Sequence, residues 1–245
     1  MLFTEHLCVI RGGGDLGTGA ALRLSKGGFP VAVCELAEPL TVRRTVALSS
    51  AITQGEITVE GLTARRVENP DEVPELAATG VVPVLVHDEL PQVSRSVVVD
   101  ARMAKRVLDT GLNDAPLVVA LGPGFTAGED CHVVVETLRG PHLGRVLWEG
   151  SAHPDTGTAA QVGGRTTDRV LRAPTAGIVE WDRQISDLVK AGEVLGRVDD
   201  REVTAPFDGL IRGLILDGIE VDAETKVGDI DPRGERVSAD EISDK

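Results

Sequence analysis

A thirty-two-residue stretch near the C-terminus of this 245-residue chain is written twice: Ala173-Pro174-Thr175-Ala176-Gly177-Ile178-Val179 returns as Ala205-Pro206-Phe207-Asp208-Gly209-Leu210-Ile211. The register holds beyond that block. Val189, Ala191 and Gly196 map onto Val221, Ala223 and Gly228, and the apolar pairs Leu195/Val227 and Val198/Ile230 keep the same offset. Each copy is a turn followed by short apolar runs, too small to bury an apolar face alone, so the two copies must pack together.

An Ala-Pro turn, a Gly opening a short strand, then Val-x-x-Gly before another strand resembles the paired half-motifs of a biotinyl/lipoyl-type barrel-sandwich domain. That resemblance implies a swinging-arm carrier, whose modified Lys stands at the hairpin joining the halves. Here the joining segment is Asp199-Asp200-Arg201-Glu202, and Lys190 and Lys226 fall inside the half-motifs. The module is therefore expected to act as a scaffold, docking surface or lid rather than as a carrier.

The formal charge of −14 excludes duplex nucleic acid as a natural partner, because phosphate binding needs clustered positive surface. With no Tyr, four Phe and two Trp there is little on which bases could stack. No apolar run approaches the ~20 residues that span a bilayer, and the first residues lack the basic and apolar regions of a signal peptide. Cys8, Cys34 and Cys131 are scattered and odd in number, which suits a reducing compartment; the expectation is a cytoplasmic protein without metal. Against the acidic background, Arg43-Arg44 and Arg65-Arg66 stand out as pairs suited to a small anion or to a solvated face.

The N-terminal half reads as α/β. Leu7 to Ile10 is a short apolar strand that runs into Arg11-Gly12-Gly13-Gly14-Asp15-Leu16-Gly17 and then a helical pattern through Ala20, Ala21 and Leu24. Gly12, Gly14 and Gly17 satisfy G-x-G-x-x-G between a strand and a helix, where the helix start offers N–H groups to an anion. Glu35 closes the next strand, about where a Rossmann domain sets an acid on ribose hydroxyls. Asp15 inside the loop opposes a pyrophosphate unless a cation or Arg11 offsets it.

Val81 to Val86 and Val97 to Asp100 are runs fit for buried parallel strands, with Asp100 and Arg102 at a carboxyl end where such sheets bind ligands. Asp100 reads equally as the N-cap of a helix from Arg102 to Asp109. A second glycine loop, Gly122-Pro123-Gly124-Phe125-Thr126-Ala127-Gly128, could present backbone donors. Along the strand Cys131-His132-Val133-Val134-Val135-Glu136, Cys131 and His132 point to opposite faces, so they make no catalytic pair, and Cys131 reads as a buried thiol. His132 and His142 remain as catalytic candidates beside Asp100, and with His153 and Glu136 they could gather around a metal or substrate. Their spacing is not a recognised ligand pattern.

Ile10 to Leu16 with Glu35 and Arg43-Arg44, Leu121 to Gly128, Val135 to Gly140, Gly144-Arg145-Val146, Ala152 to Gly157, Gly228 to Arg233 and Ile242 to Lys245 together resemble the YqeB family. That resemblance implies an accessory protein of selenium-dependent molybdenum hydroxylase systems, with the hydroxylase or its maturation machinery as partner. The family continues past Ser-Asp-Lys into a further glycine-containing stretch where this sequence ends; if that stretch closes over a site, this form would be less competent.

The expected architecture is a Rossmann-like nucleotide-binding domain over residues 1–168, a biotinyl/lipoyl-like β module over 169–232 and a polar tail over 233–245, with Gly157 to Gly164 and Thr166 to Asp168 as linker. The expected ligand is a pterin dinucleotide or NAD(P), held by Gly12, Gly13, Gly14, Asp15, Gly17, Glu35, Arg43, Arg44, Gly122 and Gly124. An NAD(P)-dependent oxidoreductase and a non-catalytic interaction module are the competing classes; the first lacks a Tyr and would need His132 or His142 as proton donor.

Overall fold

The apolar runs of the N-terminal half form the centre of a nine-stranded sheet. The computed structural model describes residues 1–87, 89–158 and 161–242, so Ala159 and Ala160 of the expected linker and Ser243 to Lys245 of the family-like end lie outside the described residues. The chain divides into two units, one of Met1–Pro39, Ala47–Thr156 and Ile242–Lys245, the other of Leu40–Val46 and Gly157–Glu241. No helix among the described residues is long and apolar enough to cross a membrane.

The first unit contains, in order, β1 (Cys8–Arg11), α1 (Asp15–Lys26), β2 (Val31–Glu35), α2 (Ala51–Gln54), β3 (Glu56–Val59), β4 (Leu62–Val67), α3 (Val73–Ala78), β5 (Val82–Val86) and β6 (Val97–Asp100). There follow β7 (Leu117–Leu121), β8 (Thr126–Ala127), β9 (Val133–Val135), β10 (Val146–Leu147) and β11 (Gly150–Ser151). The large sheet has the order β10-β9-β7-β6-β1-β2-β5-β4-β3. From β9 to β4 every pairing is parallel, and β10 and β3 lie antiparallel at the two edges. Central strands covered on both faces need unbroken apolar sequence, which is why Cys8 to Ile10 and Val31 to Val33 are buried without alternation. α1 buries Gly17, Thr18, Ala21 and Leu22, the helical spacing that lays one face on a sheet.

The second unit contains β12 (Val170–Arg172), β13 (Gly177–Trp181), β14 (Leu188–Val189), β15 (Val194–Val198), β16 (Arg201–Thr204), β17 (Gly209–Leu214), β18 (Glu220–Val221) and β19 (Lys226–Asp231). They make two four-stranded antiparallel sheets, β12-β19-β17-β14 and β16-β15-β13-β18. β13, β14 and β15 begin at 177, 188 and 194, and β17, β18 and β19 begin at 209, 220 and 226, so the repeat sets strand positions directly. The copies also exchange strands: β14 of the first pairs with β17 of the second, and β18 of the second with β13 of the first. Val179, Leu195 and Val198 share one core with Ile211, Val227 and Ile230. The Arg169 guanidinium and the Asp229 carboxylate meet inside this unit, both nearly buried.

The expected fold class, a Rossmann-like parallel domain followed by a biotinyl/lipoyl-like barrel-sandwich, gives way to a large mixed sheet and small antiparallel sheets. A doubly wound fold needs helices on its crossovers, and among the described residues only α1 exceeds six residues. The expected helix from Arg102 to Asp109 is absent. Met103 and Lys105 there take left-handed φ values of 56° and 60°, and Arg102 and Asp109 are drawn into ion pairs that a helix would pull apart.

Candidate functional site

β1 ends at Arg11 and the chain turns through Gly12, Gly13 and Gly14 into α1. Gly12 has φ +93°, and a Cβ there would lie 3.0 Å from the Arg102 Cα; one on Gly17 would lie 1.9 Å from the Gly12 carbonyl oxygen. The turn and the first turn of the helix are therefore closed on each other as only glycine allows. Gly14 is the N-cap and supplies no side-chain acceptor to the first-turn amides, while Asp15 places a carboxylate beside the positive helix end.

Gly13 and Glu35 are engaged with each other. The Gly13 N–H donates to Glu35 Oε2 at 2.8 Å, and the Leu36 N–H donates to Oε1 at 2.8 Å. Burial lifts the Glu35 carboxyl above its ordinary pKa, and these two N–H bonds pull it part of the way back. The Gly13 carbonyl accepts from the Ser49 N–H at 2.9 Å and from the Thr18 hydroxyl at 3.1 Å. Glu35 thus acts as a clasp on the loop.

β1 lies between β2 and β6, where the strand order reverses, and the carboxyl end of β6 brings Asp100 and Arg102 against the glycine turn. Asp100 is 2% exposed and caps no helix. Its Oδ2 accepts from Arg102 Nη2 at 2.6 Å and from the Thr110 hydroxyl at 2.7 Å. Thr110 in turn accepts from Arg11 Nη1 at 3.0 Å and Arg102 Nη2 at 3.0 Å. Asp109 bridges the same guanidinium groups, taking Arg11 Nη2 at 2.5 Å and Arg102 Nη1 at 2.7 Å on its two oxygens. Both the Arg102 guanidinium and the Thr110 hydroxyl are thus fixed by the buried Asp100 carboxylate.

The second glycine loop follows β7 and packs on the segment after β6. A Cβ on Gly124 would lie 2.3 Å from the Lys105 carbonyl carbon, and the Gly122 N–H donates to the Val135 carbonyl at 2.8 Å. Between the first turns of α1 and the carboxyl ends of β7 and β9 lies a cavity of about 610 Å³, walled by Leu16, Ala20, Leu121, Val135, Glu136 and Thr137. Its size suits a small ligand. The connections after β6 and β7 carry no α-helix to fill this space.

Glu136 is 2% exposed in that wall. Its Oε1 accepts from the Leu138 N–H at 2.7 Å, and its Oε2 from the His153 N–H at 2.8 Å and from His153 Nδ1 at 2.6 Å. Burial opposes ionisation, but the backbone N–H groups of His153, Leu138 and Thr137 and the His153 ring outweigh it and hold the carboxyl at about 2. An ionised carboxylate only accepts, so His153 carries a proton on Nδ1 and, when neutral, presents Nε2 as a base. The His142 ring stands 5.7 Å from that of His153. His132 does not join them: its Nδ1 accepts from the Val118 N–H at 3.0 Å, near the start of β7 and away from the carboxyl ends. Among the described residues no three His, Cys, Asp or Glu side chains gather as a metal site.

Arg43 and Arg44 serve the interior of the second unit. Arg43 is buried and donates to the Glu241 carbonyl at 2.6 Å, and Arg44 Nε donates to the Leu214 carbonyl at 2.7 Å. Cys131 is buried and desolvation pushes its thiol up to about 11, as expected of an inert core cysteine. Glu136 and His153, grouped together in the sequence, do meet, without His132, whereas Asp109 and Thr110 went unread as site residues. Their only local signal was a place in the segment that follows β6.

No protein-family model matches the chain. Over 244 residues the chain is 46% identical to "Uncharacterized protein YqeB" of Escherichia coli (strain K12), taking in 98% of this chain and 45% of YqeB, so it spans about half that relative's length. An aspartoacylase family protein from Mesorhizobium loti superposes with a TM-score of 0.31 at 12% identity, covering 92% of this chain and 84% of that one. A succinylglutamatedesuccinylase/aspartoacylase from Rhodobacter sphaeroides gives 0.29 at 15%, covering 92% and 85%. Superpositions this loose carry neither a fold assignment nor a chemistry. The likeness to YqeB runs over nearly the whole of this chain.

Proposed function

We propose that this chain is an accessory protein of the YqeB type, binding a nucleotide-bearing small molecule such as a pterin dinucleotide or NAD(P) in the service of molybdenum hydroxylase maturation. The client enzyme rests on the family resemblance alone. The ligand reading is carried by one observation: a cavity of about 610 Å³ between α1, from Leu16 to Arg23, and the carboxyl ends of β7 and β9. Its Leu16, Ala20, Leu121 and Val135 walls suit a flat heterocycle, and the first-turn amides of α1 suit a phosphate. Asp15 works against that phosphate and sets the affinity low.

The Glu136–His153 pair favours a second reading, an NAD(P)-dependent oxidoreductase with His153 as the proton-transfer group. Melting the full chain with NAD, NADP, a pterin dinucleotide and adenosine tests both readings. A ligand at a hundred times its Kd adds about 2.7 kcal/mol, which for a chain of this size raises Tm by about 5–10 °C. Asp15→Asn is expected to tighten the phosphate-bearing ligands several-fold and leave adenosine unchanged. A flat Tm across the panel in both proteins refutes the ligand reading.

A further inference from the structure

We infer that Arg11 and Arg102 form a phosphate-binding clamp which Asp109 fills in the unliganded protein, so that the ligand's phosphate competes with a side chain of the protein itself. This deepens the ligand reading above and rests on it for the identity of the ligand.

The inference begins with how the two arginines are held. Arg11, 3% exposed, is the last residue of β1 and immediately precedes the glycine turn; Arg102 follows β6 and its backbone abuts Gly12. Asp100 and Thr110 fix both guanidinium groups from beneath. Two arginines set in this way offer a rigid pair of forks suited to an oxyanion with two oxygens.

Asp109 occupies that position. Its Oδ2 takes Arg11 and its Oδ1 takes Arg102, one oxygen to each guanidinium, as a bridging phosphate would be taken. Asp109 differs from the groups beneath it in being displaceable. Its side chain is 45% exposed where that of Asp100 is 2% exposed. It closes a run of exposed residues from Lys105 to Asp109 that has no helix or strand, including Val107 and Leu108 at 38% and 47% exposure. Lys105 and Arg106 stay packed on Gly124, and the exposed stretch from Val107 to Asp109 can swing without unpacking a core. Withdrawing Asp109 removes a negative charge from beside Arg11 and Arg102, which favours an incoming anion in its place.

The experiment uses the full chain and Asp109→Ala, with inorganic pyrophosphate, ADP and adenosine as probes in melting and calorimetric titrations. The variant is expected to melt below the parent, because a nearly buried guanidinium loses its ion-pair contact with Asp109, and pyrophosphate and ADP are expected to restore its Tm while adenosine does not. Pyrophosphate is expected to bind the variant at least tenfold more tightly than the parent, and Asp109→Ala combined with Arg102→Gln is expected to lose the rescue. Should Asp109→Ala fail to fold, Asp109→Asn keeps the shape, removes the charge and is read by titration alone. Absence of tighter pyrophosphate binding in the folded variant overturns the clamp. Nucleotide binding that ignores both Asp109→Asn and Arg102→Gln overturns the clamp and leaves the ligand reading standing. Pyrophosphate rescue with no preference for any nucleotide supports the clamp and refutes the ligand reading.

Discussion

Replacing Glu136 by Gln is expected to change the dependence of stability on pH as well as its size. The carboxyl is held at about 2 against an ordinary 4.5, by N–H donors rather than by solvent. That displacement corresponds to about 3 kcal/mol favouring the ionised form in the folded state. The folded pKa lies below the unfolded one, so the contribution is complete above about pH 4.5 and drains away as pH falls toward 2. Gln keeps one acceptor oxygen but turns an NH2 toward donors from Leu138 or His153, leaving a buried N–H unpaired. Urea unfolding from pH 7 to pH 2 is the assay. At pH 7 the variant should be weaker by up to about 3 kcal/mol, and the two curves should converge as pH falls below 4.5. Parallel curves between pH 5 and 2, or a pH 7 loss below about 0.5 kcal/mol, would show that the carboxylate is not held as described.

Two glycines of α1 should respond to Ala with opposite sign. Gly17→Ala drives a Cβ to 1.9 Å from the Gly12 carbonyl oxygen and should destabilise the protein, by about 1–3 kcal/mol in urea unfolding; at Gly19 an added Cβ would meet Ile242 Cγ2 at an ordinary contact of 3.7 Å, so Ala there should stabilise, by up to about 1 kcal/mol. In the second unit, Asp229→Ala leaves Arg169 charged and nearly buried and should cost about 3–5 kcal/mol, whereas replacing both residues by Leu should recover most of that loss. Equal losses in the single and double variants would show that packing rather than charge decides the site.

What the sequence disclosed was local. β1, the glycine turn, α1 and β2 form a contiguous strand–turn–helix–strand, so Gly12, Gly17 and Glu35 could be placed from spacing alone, although Glu35 proves to bind its own loop. The repeat likewise set strand positions in the second unit, because a strand's apolar alternation is written along its own residues. The segment after β6 was opaque. Its residues favour helix in isolation, and partners from Arg11 and Asp100 hold it otherwise. Arg43-Arg44 read as an anion-facing pair because nothing nearby announces the carbonyls of Glu241 and Leu214 that engage them. The antiparallel edges were harder to read: β3 alternates Glu56 and Thr58 with Ile57 and Val59, and β10 is two residues long, so neither carries the buried apolar run that marks the central strands.

The exchange of β14 and β18 between the two repeat copies has a consequence for how the second unit came to be and how it can fail. Shifted by thirty-two residues, β12, β19, β17 and β14 correspond to β16, β15, β13 and β18, so one sheet is the image of the other about a pseudo-two-fold axis. That is the symmetry of a homodimer tied into one polypeptide. Either half expressed alone presents an open sheet edge whose natural complement is an identical molecule, and two such halves would rebuild both sheets between them. A nick between the copies would therefore leave an assembled pair of fragments, and a crowded solution of intact chains has the same route to trading halves between neighbours.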